Sequence, residues 1–335
     1  MRRTSIAVLA LAGSTMLASA LLPTRAGSGA RAAAGFRIVR FGGRVTAVWY
    51  PASARPAPYS YSTSFSGTVA FNAPATRWHG LRVPLVVFSH GDLGCGLQSL
   101  PFTEELAREG YIVAAPDHAD AFLCHIIPGP STAPRPQQPN FLKPETWDDR
   151  TFAVRRGDLE AVIDALLRDR EFGPVIDPGR IGAAGHSLGG YTVVGMAGGW
   201  PTWVDPRIRA VLAFSPYVLP FEVRKTLAGI HLPLMYQGGT LDVGITPFLI
   251  RPGGAYWEAN PPVYFVNLRR AGHFAWANCG PAHNTETCLE MHPNARLINE
   301  YGIAFFNHYL KHLPEPILEK SNPAVAAYKF RLPDP

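Results

Sequence analysis

The feature that most constrains this 335-residue chain is the turn GHSLGG at residues 185–190, which stands between a predicted strand and a predicted helix. A serine at the centre of so sharp a turn holds strained backbone angles, and it needs glycine neighbours because a Cβ there would collide with the strand or the helix. The turn lifts the Ser187 hydroxyl above the carboxyl edge of a sheet, at a helix N-terminus that stabilises negative charge. This context favours Ser187 as a nucleophile over a glycine-rich helix cap.

Predicted strands and helices alternate along the rest of the chain. The strands are predicted at residues 84–89, 111–115, 180–184, 208–213, 232–237 and 263–268, and the helices at 98–109, 148–170, 188–197 and 294–311. Residues 36–41 and 44–50 are predicted to form an antiparallel hairpin at a sheet edge, and the tail after Pro314 to wrap the surface. The alternation predicts an α/β protein with a mostly parallel central sheet and helices on both faces. Together with the serine turn it predicts the α/β-hydrolase fold, without a large cap domain.

A second stretch, SHGDLG at residues 89–94, ends the predicted strand at 84–89. A tetrahedral oxyanion needs at least two N–H donors aimed at one point. In this fold one donor is the amide after the nucleophile, here Leu188, and the other comes from the loop that carries this stretch. We assign the second donor to the amide of Asp92. His90 precedes the serine in a fold whose base follows it, so we interpret it as a residue that shapes the loop.

The base is expected after the serine, because the chain order in this fold is serine, acid, histidine. His273 lies just past the last strand predicted for the parallel sheet, where a loop can bring its imidazole to Ser187. His231 precedes a strand and therefore lies at the wrong edge of the sheet. We predict His273 as the base, with His283 or His292 as the alternatives.

The acid that orients the histidine has to lie between Ser187 and His273. The acidic residues in that interval are Asp205, Glu222, Asp242 and Glu258. Asp242 follows a predicted strand at the same sheet edge as the serine and the histidine, so it is the predicted acid. Glu222 is the alternative, because the acid follows the preceding strand in some relatives of this fold.

Three segments in combination resemble a known group of proteins: PLVVFSHGDLG, GYIVAAPDHAD and RIGAAGHSLGG. Over residues 84–274 the chain is similar to bacterial dienelactone-hydrolase-like proteins and platelet-activating-factor acetylhydrolases, and more distantly to secreted polyester hydrolases. The resemblance implies carboxylic-ester hydrolysis, with the nucleophile, acid and base on Ser187, Asp242 and His273 and the oxyanion amides on Asp92 and Leu188. Dienelactone hydrolases themselves use a cysteine nucleophile, so the serine here argues against dienelactone as the substrate.

The four cysteines of the chain are Cys95, Cys124, Cys279 and Cys288. An even number in an exported protein favours two disulfides. The first two cysteines follow successive predicted strands at one sheet edge, and the last two close a short loop, so we predict the bridges Cys95–Cys124 and Cys279–Cys288. Two alternatives are free thiols and a zinc site formed by the second pair with His283 and His292, although that spacing matches no common zinc module.

The N-terminus has the pattern of a signal peptide, which we place at residues 1–26. Arg2 and Arg3 precede an uncharged, mostly apolar run at residues 6–22, and small residues follow it. Glycine, serine and threonine dilute that run, which makes a permanent membrane anchor the weaker interpretation. We expect a secreted protein, extracellular or periplasmic, exported by the general or the twin-arginine route. Residues 27–335 are expected to form a single catalytic domain.

The formal charge of +6 falls to +3 once Arg2, Arg3 and Arg25 are removed, and no dense run of basic residues remains, so no nucleic-acid partner is expected. No phosphate loop or dinucleotide motif is present, and neither a cofactor nor a metal is expected. The expected substrate is a small-molecule, lipid or polymeric ester with a short or medium acyl chain, held in an open site. A peptidase and a non-catalytic binding protein of the same fold are the alternatives, and the oligomeric state is left open.

Overall fold

The structure is a computed structural model, and it describes residues 31–122, 139–280 and 284–333. The strands are β1 (Ala33–Phe41), β2 (Arg44–Ala52), β3 (Ala57–Ser62), β4 (Phe65–Phe71), β5 (Val83–Ser89), β6 (Ile112–Pro116), β7 (Ile176–His186), β8 (Ile208–Phe214), β9 (Leu234–Gly239), β10 (Val263–Leu268) and β11 (Val325–Arg331). The α-helices are α1 (Leu100–Arg108), α2 (Ala153–Arg168), α3 (Leu188–Val194), α4 (Leu219–Arg224), α5 (Thr246–Ile250), α6 (Ala255–Glu258), α7 (Thr285–Met291) and α8 (Pro293–Lys311). From Arg31 onwards the described residues form one compact unit.

The described strands form one sheet in the order β11-β10-β9-β8-β7-β5-β6-β2-β1-β4-β3. The strands from β10 to β6 in this order are all parallel to their neighbours. Antiparallel strands flank this block, β11 beside β10 and β2 beside β6. The carboxyl ends of the parallel strands therefore meet at one edge of the sheet, where open α/β sheets bind their ligands.

Both faces of the parallel block are buried, which is why its strands are continuous apolar runs. In β5, Leu85 and Val87 face one core while Val86 and Phe88 face the other, and all four side chains are buried. Helices α2 and α3 pack into the first core, and α1 and α8 pack into the second. The mostly parallel sheet with helices on both faces confirms the fold class predicted from the alternation.

The connection from β8 to β9 is the place where a cap domain would be inserted. It covers residues 215–233 and carries the six-residue helix α4 and a 3₁₀ turn at Leu227–Gly229. So short a connection leaves the carboxyl edge of the sheet without a large cap at this position. The short interval between the predicted strands at residues 208–213 and 232–237 predicts this.

The predicted hairpin is present as β1 and β2, which pair from Ala33↔Ala52 to Phe41↔Arg44. It does not lie at the edge of the sheet, because β4 and β3 extend the sheet beyond β1. The two extra strands are short: APYSYS is mostly exposed, and FSGTVAF alternates apolar with small or polar residues over most of its length, so neither has a long continuous apolar run. For this reason the local sequence pattern does not predict β3 and β4.

The tail after Pro314 is also more ordered than predicted. It ends in β11, which pairs with β10 from Val263↔Arg331 to Leu268↔Val325. The sequence VAAYKFR has only one fully buried position, so pairing with a neighbouring strand, rather than local propensity, determines its conformation. The prediction of a surface wrap is wrong for these residues.

A disulfide joins Cys279 to Cys288, as predicted, with 5.7 Å between their Cα atoms. Cys288 lies on α7, a helix inside the segment predicted to be a loop. Because both sulfurs are in the bridge, they are not available as the zinc ligands of the alternative interpretation. Cys95 is buried and disulfide-bonded, but its predicted partner Cys124 lies outside the described residues, and so does His283.

The predicted signal peptide, residues 1–26, also lies outside the described residues. Among the helices that the structure does describe, none is long and apolar enough to cross a lipid bilayer.

Replacing both Cys279 and Cys288 with serine is expected to lower the free energy of unfolding by about 2–3 kcal/mol, the chain-entropy value for so short a loop. The two cysteines are nine residues apart in sequence. Urea-induced unfolding followed by tryptophan fluorescence measures the change. Met291→Ser, at the exposed end of the same helix, is the control and is expected to cost less than about 0.5 kcal/mol. A double variant as stable as the control would contradict the prediction.

Candidate active site

The serine turn forms a sharp elbow between β7 and α3. Ser187 has φ 54° and ψ −114°, and its amide donates to the Phe214 carbonyl at 2.9 Å, which ties the elbow to β8. An ideal Cβ at Gly185 would lie 2.3 Å from the Gly189 carbonyl oxygen, and one at Gly189 would lie 1.9 Å from the Ser89 carbonyl oxygen. A positive φ is costly for a serine, so the elbow persists because the surrounding packing holds it.

His273 follows β10 at the same edge of the sheet and turns its imidazole towards the elbow. Its Nε2 lies 2.9 Å from Ser187 Oγ. With the proton on Nδ1, Nε2 accepts the hydrogen bond from the serine hydroxyl. In this geometry an imidazole can remove the hydroxyl proton as the oxygen attacks an electrophile.

Asp242, in the loop after β9, is the carboxylate that the structure brings to the other side of the imidazole. His273 Nδ1 lies 3.3 Å from Asp242 Oδ1 and 3.5 Å from Oδ2, so the direct contact is long. Asp242 is almost fully buried, which strengthens its interaction with a charged imidazole. The alternative acid, Glu222, lies on α4 and accepts a hydrogen bond from Arg251 at 2.5 Å.

Ser215 occupies the space between the carboxylate and the imidazole. Its hydroxyl donates to Asp242 Oδ2, and its oxygen lies 2.9 Å from His273 Nδ1. Because the single hydroxyl proton is committed to the carboxylate, the oxygen accepts from Nδ1–H, and this selects the tautomer in which Nε2 faces Ser187. No sequence motif marks Ser215. Its one signal is its place directly after β8, at the same edge as the other residues.

The loop after β5 passes close to the elbow. An ideal Cβ at Gly91 would lie 3.5 Å from Ser187 Cβ. The Gly91 carbonyl accepts hydrogen bonds from Arg155 Nη2 at 3.1 Å and from His90 Nδ1 at 2.7 Å. In a trans peptide the next N–H points in the opposite direction to the carbonyl, so the Asp92 amide points away from Arg155 Nη2. Leu188 opens α3, where the first amides of a helix point out of its N-terminus.

A buried cation holds this loop in place. The Arg155 side chain is fully buried, and its Nη1 also donates to the His90 carbonyl at 2.6 Å. Its charge is balanced by Asp120, whose Oδ2 lies 2.5 Å from Nη2. Burial by itself would raise the pKa of Asp120, but the adjacent guanidinium lowers it to about 2, so the pair stays ionised. His90 shapes the loop, as its place before the serine predicts.

A second serine–histidine–aspartate set lies beneath the loop. Ser89 Oγ is 2.9 Å from His118 Nε2, and His118 Nδ1 is 2.9 Å from Asp158 Oδ2. Asp158 also accepts from Arg44 at 2.8 Å. Ser89 and the His118 side chain are fully buried, so no substrate can reach them. Burial lowers the pKa of His118 to about 4, as expected for an imidazole kept neutral by its surroundings. The role of these residues is therefore structural: they hold the loop and the strand in place and do not react with substrate.

Three side chains next to Asp242 and His273 are apolar and exposed. Leu241 and Val243, on either side of Asp242, are 62% and 76% exposed, and Phe274, next to His273, is 76% exposed. Trp276 and Tyr191, by contrast, are buried in the two cores. The described part of the site is thus an open surface with an apolar rim.

The structure is similar to that of a ferulic acid esterase from Streptomyces cinnamoneus, with a TM-score of 0.64 and 20% sequence identity over 91% of this chain and 98% of that chain. No family model and no curated protein matches the sequence. At this identity the likeness establishes the fold, and the chain has the α/β-hydrolase fold that its sequence predicts. The subfamily within that fold stays a prediction.

Removing the Ser215 hydroxyl is expected to slow the reaction of Ser187 with a fluorophosphonate about 10- to 100-fold, the value of a hydrogen bond to a charged group. In Ser215→Ala, His273 loses the acceptor that selects its tautomer. The rate of labelling, followed by mass spectrometry, measures the effect. Ser99→Ala is the matched control, since this buried hydroxyl donates to the Trp276 carbonyl instead. Equal rates for the two variants would show that Ser215 does not position His273.

Proposed function

We propose that this chain is a serine hydrolase that cleaves carboxylic esters through an acyl-enzyme intermediate. The observation that carries the proposal is the contact of 2.9 Å between His273 Nε2 and the hydroxyl of Ser187, a serine held at a strained elbow. The Asp242 carboxylate lies on the far side of the same imidazole. All three positions of the triad are filled, which favours an enzyme over a non-catalytic protein of this fold.

In the first half of the proposed reaction, Ser187 Oγ attacks the ester carbonyl carbon while His273 Nε2 takes the hydroxyl proton. The carbonyl oxygen becomes an oxyanion, and the amides of Asp92 and Leu188 donate hydrogen bonds to it. Asp242 stabilises the positive imidazolium. Its charge acts partly through Ser215, whose hydroxyl donates to the carboxylate and accepts from Nδ1–H.

The tetrahedral intermediate then collapses, and the proton on His273 Nε2 passes to the leaving alcohol oxygen. The acyl group stays on Ser187 as an ester. Water repeats the sequence: His273 accepts a proton from the water as it attacks the acyl carbon, and Ser187 leaves with that proton. The products are an alcohol and a carboxylic acid, and the side chains return to their starting protonation states.

We place the substrate among small esters with short or medium acyl chains, reached through an open cleft. The short β8–β9 connection and the exposed Phe274 beside His273 support this proposal. The structural neighbour, a ferulic acid esterase, is consistent with an ester whose acyl group packs on apolar side chains. An exposed apolar rim also suits a polymer strand, so a polyester is the second candidate.

We further propose that residues 1–26 are removed on export and that 27–335 form the mature secreted enzyme. The Cys279–Cys288 disulfide supports this, because such bridges form and persist outside the reducing cytosol.

A fluorophosphonate is expected to modify the wild-type protein once, at Ser187, because among the serines that the structure describes only this one combines exposure to the reagent with a neighbouring base. Ser187→Ala should abolish labelling and lower ester turnover by about three or more orders of magnitude. Ser89→Ala, in the buried second set, is the matched control and should still be labelled. Loss of labelling in Ser89→Ala with retention in Ser187→Ala would reverse the assignment.

A series of p-nitrophenyl esters from acetate to palmitate tests the chain-length proposal. We expect kcat/KM to be highest for short and medium chains and to show no jump when the ester concentration passes the micellar threshold, because the described residues of the β8–β9 connection form no cap that could open. Highest kcat/KM for palmitate, with a jump at the interface, would contradict an open site.

A further inference from the structure

Three hydrogen bonds connect the loop after β5 to the loop that carries His273. The Gly91 amide donates to Gln98 Oε1 at 2.9 Å. Gln98 Nε2 lies 2.7 Å from His186 Nδ1, and His186 Nε2 lies 2.7 Å from the His273 carbonyl oxygen. We call Gln98 and His186, with these three bonds, the Gln98–His186 bridge.

The two ends of the bridge determine the direction of every bond in it. At one end the Gly91 N–H can only donate, so the Gln98 amide oxygen faces it and the amide nitrogen faces His186. At the other end the His273 carbonyl can only accept, so His186 carries its proton on Nε2. His186 Nδ1 is then an acceptor, which is what the Gln98 N–H needs. One amide orientation and one neutral tautomer satisfy all three bonds.

His186 is well placed to keep this state. It is fully buried, and its ring stacks on Trp276 at a centroid distance of 6.2 Å. Burial first, and the neighbouring His273 second, lower the pKa of His186 to about 3. The imidazole therefore remains neutral over the pH range in which a histidine base works, and it adds no second positive charge beside His273.

Each end of the bridge lies next to a group that the proposed reaction uses. Gly91 directly precedes Asp92, whose amide is the proposed oxyanion donor. The carbonyl at the other end belongs to His273 itself, so the bond to His186 holds the backbone that carries the base. The bridge thus ties the oxyanion loop to the base loop through the elbow residue that precedes Ser187.

We propose that Gln98 and His186 are positioning residues that hold the oxyanion loop and the base loop in register for attack by Ser187. The inference rests on the proposed serine-hydrolase function. A displacement of about 1 Å at either end costs up to about 100-fold in rate, because the reacting groups must be held near their attack geometry. Substrate binding on the apolar rim does not pass through the bridge, so the effect falls on kcat rather than KM.

Gln98→Glu is the first test, because it keeps the shape and the acceptor for Gly91 but replaces the N–H donor with an oxygen. Either His186 moves its proton to Nδ1 and loses the bond to His273, or it becomes charged beside the base. We expect kcat for p-nitrophenyl acetate to fall about 10- to 100-fold with KM changed less than about threefold. Asn260→Asp is the matched control. Asn260 is a half-buried amide that donates to the Ala228 and Ile230 carbonyls before the start of β10, at the other end of the strand from His273, and its substitution should leave kcat within about twofold.

The double variant Gln98→Leu with His186→Phe separates positioning from stability. The double variant removes the Gln98–His186 bond together with both of its partners, which is nearly neutral for folding, but it also takes away the partners of the Gly91 amide and the His273 carbonyl, which destabilises the fold. We therefore expect a lower melting temperature, a protein that is still folded at the assay temperature, and a kcat that stays about 10- to 100-fold low. If the double variant does not fold, Gln98→Glu and its control decide alone.

Labelling of the wild type by a fluorophosphonate distinguishes the two ways in which the idea can fail. A wild type that is neither labelled nor active on esters overturns the proposed function itself. A wild type that is labelled and active, with kcat of Gln98→Glu or of the folded double variant within about twofold of it, overturns the positioning role alone. A fall in kcat, in a variant that is folded at the assay temperature and keeps the KM of the wild type, supports the positioning role.

Discussion

Arg155 places a guanidinium with no exposure to solvent beneath the loop after β5, where it donates to the carbonyls of His90 and Gly91. A buried charge is costly unless it is paired and hydrogen-bonded, and here Asp120 supplies the pair. The bond from Arg155 to the Gly91 carbonyl fixes the plane of the peptide that joins Gly91 to Asp92, and with it the direction of the Asp92 amide. The orientation of the proposed oxyanion donor thus depends on the ion pair between Arg155 and Asp120.

The described residues form two serine–histidine–aspartate sets, and interatomic distances alone do not show which of them is reactive. The Ser89 set has the shorter histidine–aspartate contact, 2.9 Å against 3.3 Å in the set of Ser187. Burial and backbone geometry decide between them. Ser89 is the last residue of β5 and lies in the core. Ser187 lies on a strained elbow at the carboxyl edge of the sheet, beside the loop after β5 and the loop after β10 that carries His273. A base matters only where a substrate can reach its serine.

Local sequence pattern predicts the buried parallel strands and the helices between them. Chain order predicts which residues follow those strands at the carboxyl edge of the sheet. Chain order also led to His273 and Asp242, which the structure brings together. Ser215 was not predictable, because a serine after a strand has no motif and gains its contacts only when β8 and β9 are side by side. β11 was missed for a similar reason, since its pairing comes from β10. The pair of Arg155 with Asp120 has no local pattern either, because Arg155 lies on α2 and Asp120 lies 35 residues before it, in the loop after β6.

The proposed reaction requires that an acyl group is carried on Ser187 during turnover. Rapid acid quenching of the enzyme during hydrolysis of p-nitrophenyl butyrate, followed by peptide mass mapping, detects such a group. We predict one butyryl group, on the peptide that contains Ser187, together with a burst of p-nitrophenol equal to the enzyme concentration. A butyryl group on the peptide that contains Ser89, or steady turnover with no acylated peptide in quenched samples and no burst, would contradict the account.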